Sequence, residues 1–112
     1  AASVLADLLH SQQPPIMILA AMGKYFRQLY TARLYLDRGK SRGEFMELWG
    51  MKSGYQADKL LDAARRFSLP WCRYAAGRCA RADIELKSSY GRERELLTGL
   101  LMELASGRRA AV

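Results

Sequence analysis

The sequence has one histidine, two cysteines and no long apolar run, and each scarcity removes a class of function. His10 stands alone near the start, so no cluster with the ligand spacing of a structural zinc site exists. It also has no evident partner for nucleophilic catalysis. Cys72 and Cys79 are seven apart in what reads as one helix. That places their Cα atoms roughly 10 Å apart, too far for a disulfide. They read as buried thiols of a reducing, cytoplasmic setting. The apolar stretch from Ile16 to Met22 is too short to span a membrane and runs on into Lys24 and Arg27. Strand-like alternation, internal repeats, low-complexity linkers and runs of five like charges are missing as well.

What remains is a chain of 112 residues, half of them hydrophobic, with a net charge of +7. That length implies one domain with a single core, and the apolar content suffices to fold it. The charge suits nucleic acid, an anionic lipid surface or an acidic protein, but the cations are spread from Lys24 to Arg109 with carboxylates among them. A solvated basic surface is the plainer reading. The chain starts Ala1-Ala2-Ser3 and reads as beginning inside a helix, so it is expected to be a piece of a longer protein.

Apolar spacing predicts helices only. Val4, Leu5, Leu8 and Leu9 make Ala2 to Gln12 a short amphipathic segment, stopped by Pro14 and Pro15. From Ile16 the set Leu19, Met22, Phe26, Leu29 and Tyr30 recurs at three and four, to a stop at Gly39. Ser41 and Glu44 have capping-box form before Phe45, Met46, Leu48 and Trp49, which close at Gly50. Ser53 and Gln56 repeat the box and open a helix with Ala57, Leu60, Leu61, Ala64 and Phe67 inward. Ser68 and Pro70 start another, with Trp71, Ala75, Cys79, Ala82 and Leu86 on its core face. After Ser88 to Gly91 a final helix carries Leu96, Leu97, Leu100, Leu101 and Leu104 up to Gly107. The expectation is an all-α, single compact bundle of about five to six helices over residues 1–112.

"GKSRGEFMELWGMKSGYQADKLLDAAR", Gly39 to Arg65, offers three readings. A Walker-type phosphate loop needs glycine five positions before the Gly-Lys pair, but that position is Leu34, in a helix. Lys40 and Ser41 are therefore a chance match, and no nucleotide cofactor is expected. Catalytic carboxylates are no better supported. Asp58 and Asp62 lie among Lys59, Arg65 and Arg66, while Asp83 and Glu85 point about 200° apart around a helix. Phe45 to Gly50, a turn, and Gln56 to Phe67 approximate a helix-turn-helix, which makes an independent nucleic-acid-binding domain the alternative function. Its base-reading set of Gly54, Tyr55, Gln56 and Lys59 is thin. The third reading is a helical hairpin that only packs.

Further on, Ala82, Asp83, Leu86 and Lys87 form A-D-x-x-L-K. Structure alone explains it: an i,i+4 ion pair, a buried leucine and a cation near a helix C-terminus. Taken with "PPIMILAAMGKYFRQLYTARLYLDRGKS", "WGMKSGYQADKLLDAARRFS", "RADIELKSS" and the closing leucine helix, however, the chain resembles the C-terminal domain of the delta subunit of bacterial DNA polymerase III. Gly23 and Gly77 depart from it by interrupting helices. The resemblance implies a non-catalytic collar domain that joins the other clamp-loader subunits in a ring. The ATPase-like part and the contact with the sliding clamp would lie upstream, in a region not included here. It implies no cofactor, no membrane partner and only weak DNA binding. Trp49, Tyr55, Tyr74, Leu97, Leu101 and Leu104 are candidate subunit contacts, and Arg65 and Arg66 candidates for DNA or a neighbour. For each, core packing or solvated charge is the plainer alternative, and Trp71 is assigned to the core.

Overall fold

In this computed structural model residues 14–111 are described, with side chains described to Ser106. The amphipathic segment expected over Ala2 to Gln12 lies outside the described residues, as does His10. Five helices follow: α1 Pro15–Asp37, α2 Arg42–Trp49, α3 Gly54–Ala64, α4 Leu69–Lys87 and α5 Glu93–Ala111. No strand occurs among the described residues.

Helix α1 is the spine. Pro15 opens it, since the missing amide hydrogen is one the first turn leaves unpaired anyway. Ile18, Leu19, Met22, Phe26, Leu29 and Ala32 give it one buried stripe, and α4 packs along that stripe more extensively than any other helix. Side chains of this size each contribute about 1.5–3 kcal/mol when fully buried, so this one face accounts for much of the drive to fold. Helix α3 also lies on α1, and α5 packs chiefly on α4. At the end of α1, Gly39 takes φ +66°, and Lys40 N–H donates to Tyr35 O at 2.9 Å. That is the glycine stop which the pattern predicts.

Caps separate the elements. Ser41 accepts from Glu44 N–H while the Glu44 carboxylate accepts from Ser41 N–H, completing the box at α2. Ser68 accepts from Trp71 N–H at 3.2 Å and starts α4. At α3 the expected box does not form, for Ser53 makes no capping bond. Arg42 lies over that first turn, its Nη2 1.7 Å from where a Cβ on Gly54 would sit. Arg42 is anchored by Asp58 at 2.7 Å, which ties α2 to α3.

Two boundaries differ from the sequence expectation. Helix α3 ends at Ala64, and Phe67 enters the core from the turn, stacked on Trp71 at 4.6 Å. Helix α5 passes through Gly107 to Ala111. Glycine ends a helix by taking a left-handed backbone, as Gly39 and Gly50 do here, whereas Gly107 stays helical.

Candidate functional site

The chemistry-bearing side chains sort into core, seams and surface. Trp71 is core: it is 5% exposed, stacked on Phe67 and edge-on to Phe26. Cys72 and Cys79 are free and buried on the same helix face. Burial pushes both thiols up to about 11, so neither is a ready nucleophile. Among the described residues no group of histidine, cysteine and carboxylate side chains could hold a metal ion.

The candidate contacts fall in different places. Leu97, Leu101 and Leu104 are 3%, 8% and 1% exposed, so the structure moves them from the surface into this chain's own core. The leucine stripe of α5 spends its hydrophobicity on α1 and α4, and Met102, 70% exposed, is what that helix shows to solvent. Trp49 is half-buried against the core with its indole N–H unpaired. Tyr55 is 71% exposed on α3, with the Lys59 ammonium 5.2 Å from its ring centre.

Tyr74 belongs to a charged seam between α4 and α5. Its hydroxyl donates to Glu103, and Arg78 Nε donates to the same carboxylate oxygen at 2.8 Å. Arg78 also reaches Glu85 at 3.4 Å. The Tyr74 hydroxyl, with help from Arg78, holds Glu103 below the usual carboxylate range, and the same bond raises Tyr74. Sequence reasoning missed this seam because Glu103 comes from another helix, and no spacing rule links it to Tyr74 and Arg78.

In A-D-x-x-L-K, Ala82 and Leu86 are buried, and Asp83 pairs with Lys87 at 3.0 Å in the last turn of α4. Ala82 and Leu86 also line a shallow, solvent-open cleft, with Leu19, Leu96 and the Arg78–Glu85 pair around it. Of the two turn arginines, Arg65 is tied to Asp62 at 2.7 Å. Arg66 is exposed and makes no ion pair among the described residues. Unforeseen was Arg33, which donates to the Ala64 carbonyl at 3.3 Å and pairs with Asp37 at 2.7 Å. It thereby sets a cation at the C-terminus of α3, where the helix dipole favours one.

These features define a class first: an all-α domain on one core that shows scattered apolar side chains and an excess of cations to solvent. The particular family follows from comparison. A model described as "DNA polymerase III delta subunit, C-terminal domain" matches residues 1–104, and the chain belongs to that family. Neither a search of curated proteins nor one of solved structures yielded a match.

Proposed function

We propose that this chain is the non-catalytic collar domain through which a clamp-loader delta subunit joins its neighbours in a ring. It thereby takes part in loading the sliding clamp onto DNA during replication in a bacterial cytoplasm. The observation that carries the reading is the family match over residues 1–104. The architecture supports it: one helical core leaves Leu48, Tyr55, Ile84 and Met102 exposed on four different helices. A ring position requires two different contact surfaces on each subunit, with apolar and aromatic anchors in each. Among the original candidates, Trp49, Tyr55 and Tyr74 keep surface to offer. The sliding clamp itself would be engaged by an upstream region of the parent, a subunit of the DNA polymerase III holoenzyme.

Light scattering coupled to size exclusion tests this directly. Mixed with the C-terminal regions of partner subunits from the same source, the chain is expected to form a complex that persists at moderate salt. Failure to associate with any of them would overturn the collar reading.

A further inference from the structure

Two contacts fix how α1 and α4 lie together. The Arg73 guanidinium of α4 sits 5.9 Å from the centre of the Tyr30 ring on α1, with Nε 3.4 Å from the hydroxyl. Toward the other end, Leu19 of α1 shares the open cleft with Ala82 and Leu86 of α4. The two helices are therefore antiparallel, and the start of α1 lies beside the end of α4.

At about 100° per residue, Ile16, Ala20 and Arg27 fall within about 80° of Tyr30 on α1. On α4, Gly77, Ala80 and Ile84 fall within about 40° of Arg73. All six are exposed, and because Tyr30 and Arg73 meet, the two stripes lie side by side. Helix α5 meets α4 through Tyr74 and Arg78, about 100–140° around the axis from Arg73, and leaves this side uncovered. One end of the face is apolar, with Ile16, Ala20 and Ile84; the other is cationic, with Arg27 and Arg73. The eight ion pairs among the described residues leave both of those arginines out. Helix α1 has no Asp or Glu before Asp37, and on α4 Asp83 is tied to Lys87 and Glu85 to Arg78.

We infer that this α1–α4 face receives an amphipathic helix of a neighbouring clamp-loader subunit, its aliphatic side chains over Ile16 and Ile84 and its carboxylates over Arg27 and Arg73. This rests on the collar reading and names one of the two contact surfaces which that reading requires. Apolar anchors beside arginines that lack partners suit a protein helix laid in a groove. A second copy of this chain would offer the same stripes of arginine and not the carboxylates that Arg27 and Arg73 lack. Gly77 also finds a reason. It weakens its helix, and an added Cβ there would meet nothing in this chain, but it lets another backbone approach α4 closely.

The test is surface plasmon resonance of each partner subunit's C-terminal region, from the same source, over the immobilised chain. Ile84→Glu is expected to weaken one partner at least about tenfold, through faster dissociation, and to leave a second within about threefold. Arg27→Glu/Arg73→Glu should slow association of that same partner about tenfold near 50 mM salt, with little effect near 500 mM. The unaffected partner and circular dichroism report folding, and Ala80→Glu serves if Ile84→Glu loses helix. A parent that binds, with every partner indifferent to Ile84→Glu, would overturn this face and spare the collar reading. Loss of both partners by a folded variant would overturn it too. A parent that binds no partner removes the collar reading and the face with it. A dimer of the parent that Ile84→Glu dissolves would reassign the face to a second copy.

Discussion

At the residue scale, the core is where single substitutions cost most. Trp71 bridges Phe67 and Phe26, so Trp71→Ala should lose about 3–5 kcal/mol, read from the urea midpoint at unchanged slope. An unchanged midpoint would remove Trp71 from the core. Cys72 and Cys79 add a pH signature. Their folded values, about 11, lie above the ordinary 9.0, so the unfolded chain ionises first as pH rises. Their share of stability is intact below about pH 9 and is lost on the way to 11. Cys72→Ala/Cys79→Ala should therefore flatten the alkaline fall in stability, followed by urea melts across that window. Trp71, Cys79 and Leu86 were legible as core from spacing alone, because a helix keeps residues three and four apart on one face. Leu97, Leu101 and Leu104 were equally periodic, but periodicity does not say whether a stripe faces its own chain or another.

At the element scale, the caps separate sequence form from structure. Ser68 holds the first turn of α4, so Ser68→Ala should cost about 1 kcal/mol in thermal or urea unfolding. Ser53 has the same sequence form and no bond, so Ser53→Ala should change stability by less than about 0.3 kcal/mol. A comparable loss at both positions would refute the distinction. Arg42, twelve residues before Gly54, lies over the first turn of α3, but a guanidinium only donates and leaves that turn's free amides unpaired by side chains. A capping box is a sequence form, and the form alone does not make the bond. Gly54→Ala should displace the guanidinium and abolish any coupling between Arg42 and Asp58 in a double-mutant cycle. Because that pair is half-exposed, the coupling lost is at most about 1 kcal/mol.

At the scale of the whole molecule, α5 is joined to α4 by apolar packing and by the Tyr74–Arg78–Glu103 seam. The Glu103 carboxyl titrates below its ordinary value, so its contribution is present above the ordinary carboxylate range and lost as pH falls through the lowered one. Glu103→Gln should remove part of the acid-induced loss of stability, and an unchanged acid limb would show the seam to be ornamental. The same scale governs the charge. A formal +7 is a property of the composition, but its distribution depends on which carboxylates find cations within their own fold.

The sequence by itself determined the all-α class, the order of the helices, most of their starts and stops, and the apolar face of each. Those follow from the 3.6-residue repeat and from cap and glycine chemistry, which act over a few residues. Even the family was legible in the order of its motifs. Only the tertiary structure decided that the α5 leucines turn inward, that the second capping box stays unmade, and that Arg33 closes α3. It also brought Arg73 to Tyr30 across 43 positions. These outcomes depend on which helices lie side by side, and that is set by the packing of the whole core rather than by any stretch of chain.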